Sequence, residues 1–309
     1  MTHEPLILSN DEIVEIITVQ ECMGIVEKLF GNLEDSQMPP KIYLDIPDGD
    51  FRAMPAVVGN TAGIKWCGVH LDKTRQKRKI NIFAKVLIND VNSGKLLAIM
   101  DGEKITAIRT AAVTGIATKY LAKKDASIAA FIGCGNQTLY QIEAVCHARD
   151  ITQIRLFDLD YLRCDILNSH FGKKYDVVIC DDGEHCLESA DIVTTLTPSV
   201  TGFIQHHWLE NSVHINAIGA DAKGKRELHP SVLDGVDLVV YDNWEQCSHS
   251  GEIQYVNYDN RKQPWVSLDD IVSGKAEAGR ARGNQILFDA TGLATEDVVT
   301  ARYIYEKVK

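Results

Sequence analysis

Arg52 and Lys65 stand in company that does not suit surface charges. In GDFRAMPAVVGNTAGIKW, residues 49–66, Arg52 lies between Phe51 and Ala53-Met54-Pro55, and Lys65 between Ile64 and Trp66. Two further cations share that setting: Lys41 follows Met38-Pro39-Pro40, and Arg109 falls in ITAIRTAAVTG. Each alone also fits a snorkelling side chain or a surface ion pair. Four within one region predict a pocket for a carboxylate. A guanidinium suits that task because its planar fork binds carboxylate through two parallel hydrogen bonds.

A second constellation follows the apolar run SIAAFI: Gly133-Cys134-Gly135-Asn136-Gln137, then a helical pattern. Glycines let such a turn close and let the backbone approach a pyrophosphate seated on the helix N-terminus. Gly133, Gly135, Asn136 and Gln137 are therefore the expected phosphate loop of a dinucleotide site. A third glycine is missing, with Thr138 in its place. The next apolar run ends Phe157-Asp158-Leu159-Asp160, and Asp158 lies about 25 residues beyond Gly133, near the spacing expected for a ribose-binding carboxylate. A carboxylate there repels a 2′-phosphate, so NAD is expected over NADP. Asp160 is the rival ribose ligand, with Arg155 and Arg163 as neighbouring basic groups. The alternative is that Asp158 caps a turn and Gly135 only eases packing.

These residues need elements to hold them. Ser9-Asn10-Asp11-Glu12 is a capping box, and Ile13, Ile16, Ile17, Val26, Leu29 and Phe30 then recur at helical spacing, which predicts one helix to about Phe30. From Lys41 to Met100 short runs take over (IYLDI, GIKWCGV, IFAKVLI, KLLAIM), the last two flanking the turn NDVNSG, so this region reads as antiparallel and strand-rich. Asp101 to Ala122 reads as a closely packed helix. Beyond it, SIAAFI, QIRLF, DVVIC, DIVTTL, VHINAI and DLVVY alternate with polar or helical segments, the pattern of a parallel sheet with helices on its faces. QILFDATG leads into a last helix, Thr295 to about Lys307.

Composition narrows the function. Of 309 residues, 45% are hydrophobic and 24% charged, with a net charge of -11. An acidic chain repels nucleic acid and anionic membrane surfaces, so neither is expected as a partner. The one basic run, Lys73 to Lys79, reads as a solvated loop. The opening MTHEPLILSNDE has no basic or long apolar stretch, no window approaches a membrane span, and the eight scattered cysteines read as reduced thiols. A cytoplasmic enzyme is expected. Cys180-Asp181-Asp182 with His185-Cys186 matches no zinc spacing, so no metal is expected; His206-His207 reads as an exposed helix start and Cys134 as a packing residue.

MPPKIYL, GDFRAMPA, GIKW, ITAIRTAA, IGCGNQ, HINAIGADAKGKRELH, EQCSHSGEI and FDATGLATEDV together resemble the ornithine cyclodeaminase / mu-crystallin family of NAD(P)-dependent amino-acid enzymes, over nearly the whole chain. The resemblance implies an α/β protein: a Rossmann-type doubly wound domain at 122–285 and a smaller α+β substrate and dimerisation domain formed by 1–121 with 286–309, assembled as a homodimer. It implies that Lys41, Lys65 and Arg109 hold an amino-acid carboxylate, and that Asp221 in GADAKGK is the acid/base, with Lys65 in the same catalytic set. Thr195, at the end of DIVTTL, and Arg109 join the expected cofactor set. The position of Asp221 agrees independently, because it follows VHINAI in a glycine-bordered loop, where open α/β sheets bind ligands. Glu227 is the next carboxylate should Asp221 prove silent.

Arg52 points to a branch. The matching position in the ornithine cyclodeaminases resembles a glutamate, suited to a distal amine; an arginine repels that amine and resembles the archaeal-type alanine dehydrogenases of the family. The expected activity is interconversion of a small L-amino acid with its 2-oxo acid plus ammonia through an imine. Ornithine or lysine cyclodeamination and imino-acid or ketimine reduction are the alternatives, and a family member that binds NAD without turnover is a fourth.

Overall fold

Two consecutive capping boxes shape the start of the chain. The Glu12 N–H donates to Ser9 Oγ (3.4 Å) and the Ser9 N–H to Glu12 Oε2 (2.8 Å); Thr18 and Glu21 repeat the exchange at 3.2 and 2.9 Å. The single helix expected to Phe30 is therefore two, α1 (Asn10–Ile16) and α2 (Val19–Phe30), with Ile17 extended between them. The structure, a computed structural model, describes residues 4–72, 79–256, 259, 261–278 and 284–309, leaving aside the side chains of 71, 72 and 79–81. The basic run at 73–79 lies outside the described residues except for the Lys79 backbone.

The chain forms two units, Met1–Thr110 with Leu293–Lys309, and Ala111–Gly292. The first is built on β1 (Leu6–Leu8), β2 (Ile42–Ile46), β3 (Gly49–Val58), β4 (Thr61–Asp72), β5 (Lys79–Asp90) and β6 (Leu96–Asp101) in the spatial order β1-β6-β5-β4-β3-β2. Pairing is antiparallel except that β1 runs parallel to β6. Alternation along β3 puts Arg52, Met54 and Ala56 inside. There Met54 and Ala56 pack with Ala294 and Val298 of the last helix, whose full range is Ala294–Val308 (α10). The other face carries two cross-strand rows, Leu44–Phe51–Gly68–Phe83 and Ile42–Ala53–Trp66–Lys85. Ile42, Leu44, Trp66 and Phe83 on it are 40–66% exposed.

The helix α3 (Gly102–Leu121) is rich in Ala, Thr and Ile, and Ile105, Ile108, Ala111, Ala112, Ile116 and Ala117 on it are buried. A helix with buried residues around its whole circumference has to be enclosed.

The second unit alternates strand and helix: β7 (Ile128–Ile132), α4 (Thr138–Ala148), β8 (Gln153–Phe157), α5 (Tyr161–Phe171), β9 (Asp176–Ile179), α6 (Gly183–Leu187), β10 (Ile192–Thr195), β11 (Val200–Ile204), β12 (His214–Ala217), β13 (Arg226–Leu228), α7 (Pro230–Gly235), β14 (Leu238–Tyr241), α8 (Trp244–Ser250), β15 (Trp265–Ser267), α9 (Leu268–Val272) and β16 (Ile286–Asp289). Eight strands form a parallel sheet in the order β15-β14-β16-β12-β10-β7-β8-β9, and β11 and β13 pair separately. Period-two alternation serves both faces: Ala129 and Phe131 of β7 enter one apolar cluster, Ala130 and Ile132 the other. This is the expected doubly wound sheet. Because β16 inserts between β12 and β14, residues 286–292 fall with the parallel sheet, and the division between the units lies at 292/293.

The chain leaves β7 in one direction through β8 and β9, and builds the other way through β10 and β12. That reversal is the switch point at whose carboxyl edge open α/β sheets bind ligands.

Candidate active site

Four loops leave the carboxyl ends of β7, β8, β10 and β12, and the parallel register brings those ends level: Ile132 pairs with Thr195 and with Phe157, and Thr195 with Ala217. The loop after β7 is the glycine turn. Gly133 has φ +94°, and a Cβ on it would stand 3.0 Å from the Leu196 backbone, so only glycine fits there. At Gly135 a Cβ would meet nothing within 4 Å, which leaves the backbone there open to a ligand. Helix α4 follows with Gln137 as its N-cap and no side-chain cap on its first turn. Thr138, in place of the missing glycine, donates its hydroxyl to Gly133 O (2.8 Å) and closes the turn from within.

Asp158, just past β8, accepts from the Cys134 N–H through Oδ2 (2.7 Å) and from the Asp160 N–H through Oδ1 (2.7 Å). It is thus fixed against the glycine turn, and Arg163 stands 3.8 Å from it. A glycine at positive φ, an open one, an uncapped helix start and a carboxylate beside them together fit a dinucleotide. Asn136 in the same turn is exposed. Cys134 and Cys164 are buried with their sulfurs 3.5 Å apart.

The loop after β12 carries Asp221. Its N–H donates to Gly219 O (3.2 Å), and its carboxylate pairs with Lys225, whose Nζ also lies 3.4 Å from Gly219 O. The Gly224 N–H donates to Gln254 Oε1 (3.0 Å), and Tyr255 Oη donates to Lys225 O (3.2 Å). Thr195 turns its hydroxyl onto Glu227 Oε2 (2.6 Å) and is fully buried. Glu227 is also fully buried; burial pushes its carboxyl above the ordinary value, against the hydrogen bonds from Thr195, Thr197 and Gly219.

The cations of the first unit are placed by β3, β4 and α3. Arg52, Lys65 and Arg109 are 7, 3 and 4% exposed. Each meets a carboxylate of the chain itself. Arg52 Nε lies 2.6 Å from Asp50 Oδ1, and its guanidinium stacks over Tyr43 at 5.4 Å. Lys65 Nζ lies 2.8 Å from Asp297 Oδ2; Arg109 reaches Asp297 Oδ1 through Nε (2.9 Å) and Glu296 Oε2 through Nη1 (2.8 Å). Burial and the neighbouring Arg109 lower the Lys65 pKa, opposed by Asp297. Burial also works against the charge of Arg109, but Asp297 and Glu296 outweigh it and raise its pKa. Lys41 sits half-buried just before β2. Asp50, Glu296 and Asp297 were not singled out from the sequence. The last two open α10, where acidic residues are ordinary helix-start features.

A doubly wound sheet with a glycine turn and a ribose-type carboxylate at its switch point defines a dinucleotide-binding α/β protein. The pattern of the ornithine cyclodeaminase/mu-crystallin family matches residues 3–309, and the chain belongs to that family. It is similar to the alanine dehydrogenase of Archaeoglobus fulgidus, 35% identical over 311 residues that cover 98% of this chain and 95% of the relative. It is also similar to the ornithine cyclodeaminase of Brucella suis, 33% identical, covering 94% of this chain and 81% of the relative. Among solved structures, an archaeal alanine dehydrogenase dimer with bound NAD matches with a TM-score of 0.91 at 34% identity, over 99% of this chain and 96% of that one. Among the described residues, no helix is long and apolar enough to cross a membrane.

Proposed function

We propose that the protein is an NAD-dependent amino-acid dehydrogenase that interconverts a small L-amino acid with its 2-oxo acid and ammonia through an imine. The observation that carries the choice within the family is Arg52. A buried guanidinium held on β3 repels a distal amine and suits a carboxylate. The full-length likeness to an alanine dehydrogenase supports the same choice.

In this reading Lys41, Arg52, Lys65 and Arg109 bind the substrate carboxylate and so orient Cα, and orientation alone can remove a large part of a barrier. Asp50, Glu296 and Asp297 hold three of those cations in place. Gly133, Gly135, Asn136 and Gln137 take the NAD pyrophosphate, and Asp158 takes the ribose. When bound, NAD accepts or returns the hydride of Cα. Asp221 removes the proton that keeps the amine charged, then passes protons to and from the water that adds to the imine as ammonia leaves.

We also propose that the apolar face of Ile42, Leu44, Phe51, Trp66 and Phe83 packs against a second copy of the chain. The similar archaeal alanine dehydrogenase is a dimer, which supports that reading. Light scattering should give twice the chain mass, and a monomer at micromolar concentration would refute it.

The test of the activity is NADH oxidation with ammonia across a panel of 2-oxo acids, beside ornithine as sole substrate. Turnover of a small 2-oxo acid supports the dehydrogenase. Proline formed from ornithine with no net change in NADH would support the second reading, cyclodeamination, which the likeness to the Brucella suis protein favours. Asp221→Asn keeps the size of the side chain and removes the base, so turnover should fall about 10²–10⁴-fold with NADH affinity retained. A near wild-type rate would remove Asp221 from the mechanism.

A further inference from the structure

Glu227 follows the Asp221 loop at the start of β13, and it is placed so that it cannot itself exchange protons with a substrate. No part of it is exposed. Its two oxygens are taken by donors from two different strand ends. Oε1 accepts the Thr197 N–H at 2.6 Å; Oε2 accepts the Thr195 hydroxyl at 2.6 Å and the Gly219 N–H at 3.0 Å. Thr195 and Thr197 belong to the end of β10, and Gly219 to the end of β12. The carboxylate is therefore a clamp between the loops that follow the neighbouring strands β10 and β12, on one side of the switch point.

The clamp is fixed in turn. The Glu227 N–H donates to Glu252 Oε1 (2.6 Å) and the Leu228 N–H to Glu252 Oε2 (3.3 Å). Gly219 makes the approach possible, because a Cβ there would overlap the Glu227 carboxylate and the Thr197 carbonyl. Two residues beyond Gly219 comes Asp221, tied back to it by its own N–H and, through Lys225, by its carboxylate.

We infer that Glu227 is a positioning residue: it sets the direction of Asp221 by holding Gly219 against the β10 loop. The inference rests on the reading of Asp221 as the acid/base. A carboxylate that accepts three donors and is sealed from solvent does its work through geometry, and misplacement of a reacting group by about 1 Å can cost about 10²-fold in rate.

The experiment is a double-mutant cycle on the full chain with NADH and the preferred 2-oxo acid, using Glu227→Gln, Asp221→Asn and the pair. The amide introduced by Glu227→Gln would turn an N–H group toward one of the three donors and loosen the clamp. We expect Glu227→Gln to lower kcat about 10²-fold, with KM for the 2-oxo acid and Kd for NADH changed less than about threefold. In the Asp221→Asn background the same change should cost less than about twofold, because residues that act as one unit are not additive. Amide exchange in the peptides that contain Thr197 and Gly219 should rise without NADH present. Gly219→Ala, whose methyl pushes the carboxylate aside without changing its chemistry, should reproduce the split between kcat and KM, and it decides the matter if Glu227→Gln does not fold. If Asp221→Asn is silent, the reading of Asp221 fails and the inference with it. If Asp221→Asn is severe but Glu227→Gln is silent, or costs the same factor in both backgrounds, the inference alone is overturned.

Discussion

Each unit of the protein buries charge, and each manages it by a different rule. In the first, Lys65 and Arg109 are matched by Asp297 and Glu296, opposite charges within 2.9 Å. In the second, Glu227, Glu252, Asp242 and Asp289 are buried and met chiefly by backbone N–H groups. Glu252 accepts from Glu227 and Leu228, Asp289 from Ile253 at 3.0 Å, and Asp242 from Thr291 and Gly292, both at 2.7 Å. A charge matched by a charge depends on its partner. A carboxyl matched by amides can also shed its charge: burial and the nearby Asp289 push Glu252 up to about 9, and burial pushes Asp289 up to about 7. The first rule gives a charge-balanced set of buried ion pairs, the second a polar scaffold that staples loops.

The largest expected effect tests the first rule. Asp297→Ala leaves Lys65 and Arg109 buried beside Glu296 alone, and removing one partner of a buried pair costs about 3–5 kcal/mol. Urea unfolding followed by a probe in the first unit should show that loss. The matching change in the second unit, Glu252→Gln, strips no counter-ion but turns an N–H toward one of its two backbone donors, and should cost about 1–3 kcal/mol at pH 7. Equal losses in the two variants would break the contrast between the units.

Arg52 is the next largest. Asp50 holds its guanidinium from one side. If it also takes a substrate carboxylate, Arg52→Ala should weaken 2-oxo acid binding by roughly 2–5 kcal/mol and leave NADH affinity nearly unchanged. Arg52→Glu should abolish turnover of small monocarboxylates. A glutamate variant with undiminished pyruvate or alanine turnover would reduce Arg52 to a partner of Asp50.

Much of this was legible in the sequence, and the gaps have physical causes. Lysine and arginine among apolar residues stand out, so Arg52, Lys65 and Arg109 could be read directly. Their partners could not: Asp297 lies 188 residues from Arg109, and in ATEDVV it looks like any acid at a helix start. The glycine turn and Asp158 were visible because strand, turn and helix are local. The clamp of Glu227 on Thr197 and Gly219 was hidden, since two of its three donors are backbone N–H groups and the side chains it does constrain, the Thr195 hydroxyl and the bare Gly219, are residue types with many other uses. Strand order was equally silent, so the seat of β16 between β12 and β14 had to come from pairing. The break at Ile17 was legible in Thr18-Val19-Gln20-Glu21, a second capping box that the continuous apolar spacing concealed.

The second rule predicts a pH response. In the unfolded chain a glutamate titrates near its ordinary value, about 4.3, whereas native Glu252 keeps its proton to about 9. The native state therefore binds more protons between those limits. The contribution is fully present below the unfolded value and is lost as pH rises through the folded one. Asp289 acts with the same sign up to about 7. His214, lowered to about 3 by burial, acts oppositely, and only below its ordinary value. From pH 7 to 9 Glu252 carries most of the change, with only the end of the Asp289 titration beside it, and stability should fall by on the order of 2 kcal/mol. Glu252→Gln should flatten that slope; a variant with the wild-type slope would assign it elsewhere.

The smallest effect concerns Asp158, an amide-matched carboxylate at the carboxyl edge of the parallel sheet. Asp158 carries the second unit's rule outward: both its oxygens accept backbone N–H groups, yet 12% of its side chain remains exposed. A carboxylate at this position should repel a 2′-phosphate. Fluorescence titration should show NADH binding at least about 10-fold tighter than NADPH, a difference of about 1.4 kcal/mol. Asp158→Asn should bring the two affinities together, chiefly by improving NADPH, because the repulsion goes while the pyrophosphate turn stays. Equal or tighter binding of NADPH by the wild type would overturn the assignment. Suspicion would then fall on Arg163, 3.8 Å from Asp158 and from Asp160, rather than on Arg155, whose Nη1 already donates to the His185 and Glu188 carbonyls at 3.1 and 2.6 Å. Arg163→Ala would separate those cases: it should leave the preference for NADH intact if Asp158 sets it, and should cost NADPH affinity if the guanidinium receives the phosphate.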